Sequence, residues 1–65
     1  MGIKISREKI NIELARKKMN ITALAKAYGV SRARMNVILN SREVSTVSAG
    51  RLAKSLGVDV TEIME

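Results

Sequence analysis

The chain has 65 residues, no cysteine, no histidine, no proline and a formal net charge of +6. That length allows one domain with a small core. The missing thiols exclude a disulfide framework and a thiolate metal site, and the missing imidazoles remove the commonest metal ligand and general base, so neither a cofactor nor catalysis is expected. The charge is uneven: residues 1–42 carry ten bases against two acids, a net of +8, whereas residues 43–65 carry two bases against four acids, a net of −2. A polyanion such as nucleic acid is the natural partner of the basic part, because neutralising phosphates releases counterions. No run approaches the roughly 18 apolar residues of a membrane span, so a cytoplasmic location without membrane contact is expected. A single aromatic residue, Tyr28, suits a helical chain better than a sheet.

Residues 1–5 read as an arm ahead of one domain over residues 6–65. In the arm Ile3 and Ile5 alternate, to pair as a strand or to pack on the domain. Ser6 can cap a first helix running from Arg7 to Met19, with Glu8 in its first turn and Ile10, Leu14 and Met19 inward. Arg16, Lys17 and Lys18 cluster at its end, where positive charge suits the helix dipole or meets a phosphate. Asn20 can cap a second helix whose Ile21, Leu24, Ala25 and Tyr28 line one face. Gly29 then stands where a left-handed residue ends a helix, and Ser31 where a hydroxyl caps the next.

The third helix should start at Arg32, with Met35, Ile38 and Leu39 inward, Ala33, Asn36, Val37 and Asn40 outward, and Arg32 and Arg34 on the flanks. Asn40 tolerates the left-handed conformation and is expected to adopt it where this helix ends. Ser45 or Thr46 can cap a fourth helix with Ala49, Leu52, Ala53 and Leu56 as its inward stripe and Gly57 as its stop. Gly50 weakens that helix by about 1 kcal/mol relative to alanine, a cost for which close packing is the expected reason. Beyond Gly57, Val60, Ile63 and Met64 are apolar.

The stretch Ile21 to Asn40 resembles the helix-turn-helix of the lambda-repressor-like, xenobiotic-response-element family. The small Ala25 stands four residues before Gly29, Val30 follows the glycine, and Met35 and Ile38 fall where branched apolar residues lock the two helices together. The closing Leu56-Gly57-Val58 step is similar too, and implies a short fifth helix capped by Asp59 or its neighbour. The resemblance implies an all-α, compact five-helix domain with the motif at residues 21–40, whose second motif helix enters the major groove of double-stranded DNA. On that docking Arg32 meets a guanine, Asn36 an adenine, and Ala33 and Val37 thymine methyls. Each bidentate pair is worth about 1 to 3 kcal/mol of discrimination.

Backbone contact is expected from Ser31, Arg34, Asn40, Ser41 and Arg42. Where relatives start the first motif helix with a glutamine or similar polar residue, this chain has Ile21, so Asn20, Thr22 or the helix-terminal amides must anchor that end. The family also implies a homodimer on a palindromic site, with Val60, Ile63 and Met64 as the two-fold contact; the alternative is that these residues finish the core. The expected function is a small transcriptional regulator, a repressor that occupies its operator. The alternative is an antitoxin-like protein-interaction module whose DNA binding is secondary, which predicts a protein partner of unknown identity and a large exposed apolar patch. An RNA reader would need exposed aromatics, and Tyr28 lies on a core face.

Overall fold

Four polar side chains, each on extended backbone, cut the chain into four α-helices. Ser6 Oγ accepts from the Lys9 amide at 3.2 Å, Asn20 Oδ1 from Ala23 at 2.8 Å, Ser31 Oγ from Arg34 at 3.2 Å and Ser45 Oγ from Ser48 at 3.1 Å. Each bond satisfies one amide that the helix itself leaves without a partner. The helices that follow are α1 (Arg7–Arg16), α2 (Ile21–Tyr28), α3 (Arg32–Asn40) and α4 (Thr46–Leu56). The computed structural model describes residues 2–65; Met1, the first residue of the expected arm, lies outside them.

The helix ends share one device. Gly29 and Gly57 take φ values of +97° and +72°, and the amide after each folds back on its helix, Val30 to the Ala25 carbonyl and Val58 to that of Ala53, both at 3.0 Å. This is the Schellman arrangement, in which glycine avoids the Cβ clash of a left-handed residue. α1 ends in the same way three residues earlier than expected, with Lys18 in the glycine position at φ 55°. The Met19 amide reaches the Leu14 carbonyl at 2.9 Å, and the Met19 side chain packs against the core. Nothing in the local sequence marks Lys18 as left-handed; the reversal is imposed by docking Met19. Asn40 does not adopt the left-handed form: it is the last residue of α3, and Ser41 follows in extended backbone.

Two expectations of a five-helix, all-α domain are corrected here. Residues Gly2–Lys4 form a strand, β1, antiparallel to β2 (Glu43–Ser45), with Ile3 opposite Val44. The chain between β1 and α1 is also gripped from its other side: Ile5 bridges Met64, the Ser6 amide donates to the Ile63 carbonyl at 2.7 Å, and the Glu65 amide to that of Lys4 at 3.0 Å. The expected fifth helix is one 3-10 turn, Val60–Glu62, capped by Asp59. It stops there because Ile63 turns into the core and is fully buried, and so short a turn gains little from propagation.

Ile10, Leu24, Met35, Leu52, Leu56 and Ile63 are the large side chains wholly removed from water, so every helix and the closing segment share one core. Each such burial is worth about 1.5 to 3 kcal/mol before the entropy of ordering is set against it. Glu13 is a buried acid that periodicity did not single out; its carboxylate accepts from Arg16 Nη1 at 3.2 Å. Gly50 also departs from expectation. A Cβ built there meets nothing within 4 Å, so close packing is not its reason.

Two substitutions test these helix assignments. Gly50→Ala and Lys18→Gly should each raise stability by roughly 1 kcal/mol in denaturant melts, the first through helix propensity and the second through relief of a left-handed side chain. At the other end, hydrogen bonds from the Thr61 hydroxyl and amide hold the Asp59 carboxyl below its ordinary value of 3.8. A depressed carboxyl stabilises the fold above its unfolded pKa and loses that contribution as pH falls through the folded one. The protection of the amides of the 3-10 turn, measured against their intrinsic exchange rates, should therefore fall as pH drops below about 3.8, and Asp59→Asn should flatten that dependence.

Candidate nucleic-acid interface

The angle between α2 and α3 is set at residues 29–31. Gly29 reverses the chain, Ser31 starts α3, and Ala25, with almost no exposed surface, takes both the Gly29 and Val30 amides on its carbonyl at 2.8 and 3.0 Å. A third element fastens this turn. Arg51 of α4 donates through Nη2 to the Tyr28 carbonyl at 2.7 Å, and its guanidinium lies 4.4 Å from the centre of the buried Tyr28 ring. A cation at the carboxyl end of α2 suits its dipole, and its stacking on the ring adds a cation–π contact. Sequence inspection did not find Arg51. Its position in the exposed register of α4 carries no local sign of a partner 23 residues earlier.

With the turn fixed, α3 buries Met35 and Leu39 and half-buries Ile38, as its apolar spacing requires. Arg32, Ala33, Arg34, Val37 and Asn40 are exposed, and Asn36 is half-buried. Val37 is 55% exposed, an apolar surface that nothing within the chain uses. The four candidate base-contacting residues, Arg32, Ala33, Asn36 and Val37, thus share one helix and its first two turns.

The candidate backbone residues fall into three groups. Asn20 and Ser31 spend a side-chain oxygen on capping, which leaves the Asn20 amide NH2 and the Ser31 hydroxyl proton to donate outward. Thr22, Arg34 and Arg42 are exposed; the Arg42 carbonyl accepts from the Ile5 amide at 3.1 Å, which ties the loop after α3 to the amino-terminal segment. Ser41 is half-buried and donates to the Val37 carbonyl at 3.0 Å, and Asn40 Oδ1 accepts from Arg7 Nη1 at 3.2 Å. Arg7 is a second residue that sequence reasoning missed, since 33 positions separate it from Asn40.

Electrostatics favour an anion on this face. Neither α2 nor α3 has an acid in its first turn, although α1 does. Their partly positive amino ends are therefore left uncompensated by local carboxylates. Among the described residues the one ion pair is Arg16 with Glu13, so Arg32, Arg34 and Arg42 are not neutralised within the protein. No helix of the described residues is long and apolar enough to cross a membrane, and no group of three or more acids could hold a metal.

The residues expected at a two-fold contact lie elsewhere. Ile63 is fully buried in its own chain and has no surface to offer a second copy; Val60 and Met64 are half-buried. The exposed large apolar side chains, Ile12, Val37 and Val47, stand on three different helices.

Comparison with known proteins adds one finding: a family model described as a Cro/C1-type HTH DNA-binding domain matches residues 9–65. No curated protein and no solved structure matches the chain.

The clamp on the turn can be removed without touching the exposed face of α3. Arg51→Gln should lower stability by about 2 kcal/mol in a denaturant melt, the lower end of what a charge-assisted hydrogen bond and an exposed cation–π contact give together. An unchanged midpoint would mean that α2 and α3 hold their angle without α4.

Proposed function

Because the chain belongs to the Cro/C1-type helix-turn-helix DNA-binding family, we propose that it is a sequence-specific transcriptional regulator that inserts the first two turns of α3 into the major groove. The observation that carries this reading is the composition of the exposed α3 face. Arg32 supplies the donor fork that fits guanine O6 and N7, and Asn36 the donor and acceptor pair that fits adenine N6 and N7. Ala33 and Val37 offer only methyl surface, which suits thymine. Around them Asn20, Thr22, Ser31, Arg34, Asn40, Ser41 and Arg42 supply donors at the helix ends and in the following loop, where phosphates border the groove. The regulator acts as a repressor by occupying its operator, in the cytoplasm.

The size of the module supports a homodimer. Nine residues of α3 extend about 13 Å, which spans only about four base pairs at the 3.4 Å rise of duplex DNA. So short a site recurs too often to direct a regulator alone, and a second copy on an inverted repeat squares its frequency. With Ile63 buried, the surface left for the two-fold contact is that of Val60 and Met64. Val60 borders an open groove whose floor is Gly50, Ala53, Gly57 and Val58 and whose edge carries Lys54 and Asp59. The chain exposes three large apolar side chains among its described residues, one on each of α1, α3 and α4, which is little apolar surface for a protein-interaction module to build on.

Titration against a duplex selected from a random pool, and against random duplex, tests the assignment. Arg32→Ala and Asn36→Ala should each weaken the selected site by about 1 to 3 kcal/mol while changing random duplex far less. Equal losses on both would remove these residues from base readout.

A further inference from the structure

Arg7 begins α1, yet its guanidinium reaches across to the end of α3. Nε donates to Asn11 Oδ1 at 3.1 Å, and Nη1 donates to Asn40 Oδ1 at 3.2 Å. A guanidinium has five N–H donors and no acceptor. Both amides must therefore turn their oxygens toward Arg7, which leaves the NH2 groups of Asn11 and Asn40 directed away from it. Both asparagines are exposed. The cluster thus turns its amide oxygens toward the cation and displays two amide NH2 groups and the unused part of the guanidinium fork. Its positive charge is uncompensated, since no carboxylate lies within ion-pair distance of Arg7 among the described residues.

The cluster is also continuous with the face of α3. Asn40 lies four residues after Asn36 and three after Val37, hence on the same side of the helix. Arg7 and Asn11, one turn apart on α1, extend that side beyond the end of α3. An oxyanion, with its negative charge and several lone pairs, suits a charged set of donors better than a neutral carbonyl does, and a cation does not fit it. Holding Arg7 in two hydrogen bonds beforehand removes much of the side-chain entropy that an anion would otherwise have to freeze on binding.

From this geometry we infer that Arg7, Asn11 and Asn40 form a preassembled phosphate site that receives one backbone phosphate of the duplex entered by α3, at the edge where that helix leaves the groove. The inference rests on the DNA-binding reading above and adds a contact from α1, with Arg7 as the charge and the two asparagines as oriented donors. A contact of this kind holds register on the duplex and carries no sequence preference.

The test uses the whole chain, the selected duplex and random duplex, titrated over a range of salt, with thermal melting of each variant. Asn11→Asp keeps an acceptor for Arg7 Nε, so the fold should melt at or above the wild-type temperature, while the new carboxylate neutralises the site. Its affinity should fall by roughly tenfold on both duplexes, and the slope of log affinity against log salt should flatten by about one phosphate. Arg7→Ala should flatten the slope equally. Lys26→Gln, which removes one exposed charge from the last turn of α2, controls for net charge and should leave the slope nearly unchanged. If Asn11→Asp and Arg7→Ala bind with the wild-type slope while Arg34→Ala flattens it, the phosphate site is wrong and the DNA-binding reading stands. If the folded wild type binds no duplex at any salt, both fall together.

Discussion

The left-handed turn at Gly29 is the constraint on which the rest of the molecule depends. Only with φ at +97° can α2 stop at Tyr28 and the chain reverse within two residues to restart at Ser31. An alanine there would be strained by its backbone, and its Cβ would also stand 3.2 Å from Arg51 Nη2. The turn is thus squeezed between its own conformation and the cation that closes it. Arg51 couples this local device to the tertiary fold: α4 reaches the turn only because Leu52 and Leu56 are buried beside Leu24 and Met35 in one core. Packing and turn geometry therefore set the same angle, and that angle decides which side of α3 faces water.

What faces water then follows from what the core does not need. Met35 and Leu39 absorb the inner side of α3, and the outer side is left with two small or branched apolar residues, two amides and two guanidinium groups. The amino ends of α2 and α3 are capped by neutral residues and carry no acid in their first turns, so their dipoles add to the basic side chains. The acids collect instead in the closing third of the chain, where Asp59 caps the last turn. A small protein without metal-binding thiols or imidazoles can in this way build an anion-seeking face from backbone ends and surface cations alone.

Features determined within four or five residues were legible in the sequence. Ser6, Asn20, Ser31 and Ser45 cap the helices because their side chains reach their own third following amide, and Gly29 and Gly57 stop helices because no other residue is so easily left-handed. The family resemblance, resting on Ala25, Gly29, Val30, Met35 and Ile38, agrees with the match over residues 9–65. Features determined by distant partners were not legible. The β1–β2 pairing joins residues some forty positions apart, and alternating Ile3 and Ile5 could not distinguish a paired strand from an apolar anchor. Lys18 is left-handed for the sake of Met19, and the fifth helix shrinks to one turn for the sake of Ile63. Arg7 and Arg51 look like ordinary surface bases until the fold brings Asn40 and the Tyr28 carbonyl to them. Gly50 shows the opposite error, a packing role assigned where the structure has open space.

The most direct test of the account is a map of amide chemical-shift changes on the isotope-labelled protein as a duplex is added at moderate salt. The account requires the changes to concentrate on residues 20–23, on Ser31 to Asn40 and on the loop at Ser41 and Arg42, with the interior of α4 undisturbed. Changes centred on α4 and the closing turn, with α3 silent, would place the DNA on a different face and contradict the central claim.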